Sequence, residues 1–224
     1  MLAAYDGHAW VDWSWVHDHL QEISGRLQEH AILLGWSMLL ALVVAIPLSL
    51  LSVSRKRVYA SVLITTGVLY TIPSLAAFSL LLPYTGLSHL TAIIPLAAYC
   101  LLILVRNIVT GLQQVPASVQ DAAVGLGYSR TRKLWRVDVP LALPTIFAGI
   151  RIAVVTVIGL IPVSALIGQG GLGQLMTDGF QRDFYTPLVV GIVLTVAFAV
   201  TADALLLLMQ RLLTPWARKG VVNA

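Results

Sequence analysis

Five apolar stretches, each close to the length that crosses a bilayer, decide what this chain can fold into. A hydrocarbon core about 30 Å thick takes about 20 helical residues, and the absence of water inside it obliges the backbone to satisfy itself. The stretches run roughly from Ala31 to Val53, Val58 to Leu82, Thr91 to Leu112, Thr145 to Ile167 and Pro187 to Leu213. The chain is 58% hydrophobic and 11% charged with mean hydropathy +0.87, whereas a soluble domain carries about 25% charge. The expectation is an all-α polytopic membrane protein of about five transmembrane helices. Pro73 lies in the middle of the second stretch and predicts a bend there. Pro83-Tyr84-Thr85-Gly86 reads as the turn that follows. With Cys100 as the one cysteine, set inside an apolar run, a disulfide framework within the chain is excluded.

Charge orients the bundle. If Arg55-Lys56-Arg57, the polar stretch after the third span and the C-terminus share one side, twelve of the fourteen Lys and Arg fall on or near that side. Only Arg26 and Arg182 lie opposite. The positive-inside rule makes the basic side cytoplasmic, with the N-terminus out, the C-terminus in and the protein multi-pass in the plasma (inner) membrane. The net charge of +4 thus follows topology and gives no reason to expect nucleic acid as a partner. Residues 1–29 read as an external or interfacial segment. They hold Trp10, Trp13 and Trp15, which suit the membrane–water boundary, and no signal-peptide pattern. His8, His17 and His19 lack metal-ligand spacing, since His17 and His19 do not share a helix face, so no metal site is expected. The membrane domain spans 30–215, and 216–224 form a cytoplasmic tail.

Motifs for chemistry within the chain are absent: no Walker A, HExxH or GxSxG pattern occurs. Gly168-Gln169-Gly170-Gly171-Leu172-Gly173 matches GxGxxG by letter, but it follows a membrane span and faces outside. A nucleotide fold would need a strand before it and a helix after it. It reads as a tight external turn, or as a segment lining a gate. Asp203 sits inside the fifth span, where a carboxylate must face protein or water; a structural hydrogen-bonded role is expected over a proton relay. Arg106 and Arg151 lie near the cytoplasmic edge and are expected to snorkel. Asn107 and Ser74 either line a pathway or join helices.

The most informative polar interruption is Asp121 to Pro144. Pro116 suits the start of a short helix, Gly125 and Gly127 its end, and Ser129 the cap of a second helix that Pro140 is expected to stop. Helix, glycine turn, helix on the cytoplasmic side makes a docking element; a short amphipathic helix lying on the membrane is the rival reading. The stretch resembles the EAA motif of the permease subunits of binding-protein-dependent ABC importers, which reads EAA, three residues, Gly, nine residues, Ile-x-Leu-Pro. Asp121-Ala122-Ala123, Gly127 and Val137-Asp138-Val139-Pro140 stand at that spacing, with Asp for Glu and Val for Ile and Leu. Thr71-Ile72-Pro73-Ser74-Leu75, Arg106-Asn107 with Thr110-Gly111, and the Leu166–Gly173 segment look like the osmoprotectant branch, which carries glycine betaine, choline and carnitine. Methionine importer permeases carry a similar Gly-rich loop.

The resemblance implies a type I importer permease fold, a coupling loop over 113–144, and no catalysis or cofactor in this chain. ATP and Mg would sit on a pair of cytoplasmic ATP-binding subunits. A second permease, identical or paralogous, would complete the pathway, and an external binding protein would deliver substrate. Asp121, Ala122, Ala123, Gly127, Val137, Val139 and Pro140 are implied as the ATPase-coupling residues. Pro73, Ser74, Arg106, Asn107, Gly170 and Gly171 are candidates for the translocation pathway. The alternative within the importer class is a permease for another small solute such as an amino acid, methionine-like; the expectations from other classes are an ion-coupled transporter built on Asp203 and a membrane enzyme built on the external histidines.

Overall fold

The computed structural model describes residues 11–218, apart from the side chains of Lys56 and Arg218. His8, Trp10 and most of the tail lie outside the described residues. Those described are almost entirely helical: α1 (Trp13–Asp18), α2 (Leu20–Ser54), α3 (Lys56–Thr71), α4 (Ser74–Thr85), α5 (His89–Gln113), α6 (Ala117–Gly125), α7 (Arg130–Lys133), α8 (Val139–Leu160), α9 (Leu172–Gln181) and α10 (Tyr185–Leu213). Among the described residues four continuous helices are long and apolar enough to cross a membrane, and the bent pair α3–α4, counted as one broken span, brings the number to the expected five.

α5 is the hub. It buries one whole side, from Thr91 and Ala92 to Gly111 and Leu112, against α2 and α8. Small residues let the backbones approach, as helix association in lipid favours. A Cβ on Gly149 of α8 would stand 2.4 Å from Asn107 Cβ, and one on Gly111 would stand 3.1 Å from the Ala142 carbonyl. α10 packs on α8 and α9 and is otherwise exposed. In lipid, where apolar side chains need no burial, such a face is stable as it stands.

Three elements depart from the sequence expectations. Pro73 does more than bend its span: α3 and α4 meet at 93°, with Ile72 and Pro73 extended between them. Proline biases the residue before it away from the helical region, so the break falls at Ile72. Tyr99 of α5 donates its hydroxyl to the freed Ile72 carbonyl at 2.7 Å. Pro83 lies inside α4 instead of opening a turn, and the helix ends at Gly86, whose φ is +64°. The Gly-rich segment holds α9, preceded by a 3-10 turn at Ile161–Ile167.

At the end of the bundle away from the basic clusters, α1 packs against α2 and α10. Asp12 caps α1 by accepting from the Ser14 and Trp15 amides. The hydroxyl of Ser14 holds the Asp12 carboxyl below the usual range. His19 stacks on Trp15 with centroids 4.3 Å apart. Among the described residues no three His, Cys, Asp or Glu side chains converge.

Candidate functional site

The loop at the basic end is built from backbone rules. α6 ends in a Schellman motif: the Gly127 amide donates to the Val124 carbonyl at 2.9 Å and the Tyr128 amide to the Ala123 carbonyl at 3.1 Å. That geometry needs a left-handed residue, and Gly127 supplies it at φ +77°. Ser129 then caps α7, accepting from the Arg132 amide at 3.3 Å. The Arg132 guanidinium lies 4.5 Å over the Tyr128 ring, which stiffens the turn.

The two alanines of the motif face opposite ways. Ala122 is exposed with Asp121, whereas Ala123 is buried inside the chain. Ala123 is therefore small because α6 lies close to its own bundle, and of the two alanines Ala122 alone is open to a partner. Beside Asp121 and Ala122, the apolar side chains of Val119, Val124 and Leu126 are exposed. They give the short helix an outward surface of apolar contacts around one carboxylate.

Pro140 does not stop the second helix. Winding runs unbroken from Arg130 to Leu160 through a π turn at Leu134–Asp138. In an α-helix, the ring of Pro140 would collide with the carbonyl of Arg136, and a hydrogen bond would be missing. The wider turn removes the collision; the Val139 amide reaches back to the Leu134 carbonyl, five residues away. Pro144 likewise lies within α8. Leu134 and Val139 pack on the membrane core, and Val137 and Pro140 are half-buried. Lys133 Nζ donates to Asp138 Oδ2 at 2.8 Å and to Gln120 Oε1 of α6 at 3.0 Å. Gln120 Nε2 donates to the Val115 carbonyl at 3.1 Å. Asp138 is buried, and its Oδ1 has no partner.

The candidate pathway residues are not gathered in one place. Pro73 is exposed at the α3–α4 break with Ser74 half-buried beside it, and Arg106 is exposed on α5. Asn107 donates to the Ile103 carbonyl at 2.8 Å and packs on Gly149, so it joins helices. Gly170 and Gly171 are buried at the far end. A Cβ there would stand 2.3 Å from Ala165 Cβ and 2.8 Å from the His30 backbone, respectively. They are close-packing glycines, and with φ +75° at Gly168 and +50° at Gly171 the turn reading of this segment fits.

Two features lay beyond local sequence patterns. Arg151 of α8 does not snorkel. Its Nε and terminal nitrogen donate to the two oxygens of Asp203 in α10 at 2.8 and 2.7 Å. Asp203 thus has the structural role expected of it, through a partner 52 residues away. His30 is completely buried in α2, edge-on to Phe198, with neither ring nitrogen hydrogen-bonded. Complementary charges in two apolar runs hinted at the first; His30 has no local signal.

Comparison with known proteins agrees with this architecture. Residues 27–219 match the family described as binding-protein-dependent transport system inner membrane component. The osmoprotectant import permease protein OsmW of Salmonella typhimurium is 36% identical over 198 residues, covering 86% of this chain and 91% of the relative. The choline transport system permease protein OpuBD of Bacillus subtilis is 33% identical over 191 residues, covering 85% of this chain and 84% of the relative. The fold is also that of a chain in an inward-facing structure of the MetNI methionine ABC transporter. That likeness has a TM-score of 0.74 at 21% identity, covering 84% of this chain and 94% of that chain.

Proposed function

The chain belongs to the family of binding-protein-dependent transport system inner membrane components, and from that premise we propose that it is the permease of an importer for osmoprotectant quaternary amines of the glycine betaine, choline and carnitine kind. It is a multi-pass protein of the inner membrane whose work is transport and not catalysis. The substrate class rests on the relatives, OsmW and OpuBD, whose names specify osmoprotectant and choline transport.

The observation that carries the coupling role is α6, a short helix presented at the basic end with Asp121, Ala122, Val124 and Leu126 outward and its end fixed by Gly127. Such a helix fits a cleft on a cytoplasmic ATP-binding subunit. A pair of those subunits, holding ATP and Mg, would close on nucleotide binding and carry the docked helices with them. The bundles of two permeases, this chain with a copy or a paralogue, would rock between inward and outward openings, and an external binding protein would deliver the solute. The rival ion-coupled mechanism requires a free intramembrane acid, and both oxygens of Asp203 are engaged by Arg151.

The test is mass spectrometry of what co-purifies with this subunit from its native membrane in mild detergent, followed by uptake of labelled glycine betaine into vesicles. An ATPase, a second permease and ATP-dependent uptake are the expected results. Absence of an ATPase, even after cross-linking from a cysteine placed at Ala122, would refute the coupling role. Uptake of methionine in place of glycine betaine would refute the substrate class.

A further inference from the structure

We infer that Lys133, clamped between Asp138 and Gln120, is the positioning residue that locks α6 to the transmembrane helix α8, so that movement of the docked helix is delivered to the membrane. This rests on the reading of α6 as the ATPase-docking helix.

Little else holds α6. Covalently it hangs from two short connections, Gln114–Pro116 and Leu126–Ser129. Most of its side chains face outward, Val119 and Val124 among them, and the turn that ends it satisfies only its own carbonyls. A helix of nine residues on two such hinges can pivot, and a pivoting helix would follow the ATPase without moving the bundle. Ala123 packs inward, but one methyl group resists little torque. The Lys133–Gln120 hydrogen bond is a polar side-chain tie from α6 to the continuous helix that becomes α8.

Lys133 is itself held. Its partner Asp138 lies five residues away, a spacing that places two side chains on different faces of an α-helix, where neighbours are three or four apart. The π winding of Leu134–Asp138 brings them side by side. The π winding that accommodates Pro140 therefore sets the alignment. The salt bridge is sheltered, with side-chain exposures of 18% and 12%, and the other carboxylate oxygen, Asp138 Oδ1, has no donor. Lys133 is thus the only charge that balances this carboxylate among its hydrogen-bond partners, and its ammonium cannot swing away without stranding it. An ammonium has three donors; one fixed on Asp138 leaves the next aimed at Gln120.

The experiment uses the whole importer complex in nanodiscs. Spin labels are placed on exposed Ser118 of α6 and exposed Ile152 of α8, and the labelled chains are diluted with unlabelled ones. The α6–α8 distance is measured without nucleotide and with a non-hydrolysable ATP analogue. With the lock intact, the distance distribution is narrow and identical in both states. Lys133→Met and Asp138→Asn should broaden it at least twofold and make it nucleotide-dependent, while the ATPase still co-purifies. The exchange Lys133→Asp with Asp138→Lys should recover part of the invariance. A narrow, nucleotide-invariant distance in Lys133→Met would overturn the lock, as would a nucleotide-dependent distance in the unsubstituted protein. Absence of an ATPase from the unsubstituted complex is a separate result, counting against the docking role itself.

Discussion

Replacing Gly127 separates backbone geometry from bulk at the docking loop. A Cβ on Gly127 would meet nothing within 4 Å, so added volume carries no direct penalty. What remains is φ +77°, a left-handed conformation that disfavours an ordinary side-chain-bearing residue by about 1–2 kcal/mol. That is about a 5- to 30-fold fall in the equilibrium constant for the docking-competent turn, the upper bound on the loss of its population. Asparagine tolerates this region because its side chain bonds locally, so it should do less harm than alanine although it is larger. The assay is the affinity of the ATPase subunit for the permease in nanodiscs. Gly127→Ala is expected to weaken Kd by up to about 30-fold and Gly127→Asn by less, with unchanged thermal stability of the membrane helices. Gly127→Trp adds bulk on the docking side and should abolish uptake in a protein that still inserts and folds. If asparagine proves worse than alanine, size governs the position and the backbone argument is wrong.

The ion pair between α8 and α10 should behave as a unit. Arg151→Leu or Asp203→Leu strands a charge within the membrane, at about 2.5–3.5 kcal/mol for a central site. The two side chains act as one neutral pair, each oxygen of Asp203 accepting from Arg151, so the double variant should lose less than either single one. Unfolding by a denaturing detergent in mixed micelles measures this, and simple additivity would refute the pairing. Gly173→Ala should lower Tm, because its Cβ would stand 2.3 Å from Pro162 Cα and 2.6 Å from the Pro162 carbonyl oxygen. Backbone cannot yield as a side chain does, so about 1–3 kcal/mol is expected. Gly159→Ala, with nothing within 4 Å, is the control and should leave Tm unchanged or raised.

Much of the fold was legible because lipid makes helix the sole economical choice for an apolar run. The third and fifth spans begin within two residues of their expected starts. The helix–turn–helix loop was legible for a different reason: Gly127 and Ser129 have strong local preferences that no packing overrides here. Pro140 was misjudged because a proline signals a lost hydrogen bond without saying how the chain absorbs it. A stop and a π turn answer the same defect, and the choice between them is made by the apolar contacts of Leu134 and Val139 with the membrane core. The Lys133–Asp138 tie was hidden by the same turn, since five-residue spacing has no meaning until the winding is known. Arg151 and Asp203 meet only through the crossing of two helices far apart in the chain, which no local pattern encodes.

The right-angled break between α3 and α4 bears on how the protein is assembled. At 1.5 Å per residue, α3 with 16 residues reaches about 24 Å and α4 with 12 reaches about 18 Å, so neither matches a hydrocarbon core of about 30 Å alone. The open backbone between them cannot be left facing lipid, and the hydroxyl that shelters the Ile72 carbonyl belongs to Tyr99 of α5, 27 residues further along the chain. The broken pair is therefore complete only once α5 packs beside it. Assembly has a dependence written into it, in which the central helix supplies what the elements before it lack.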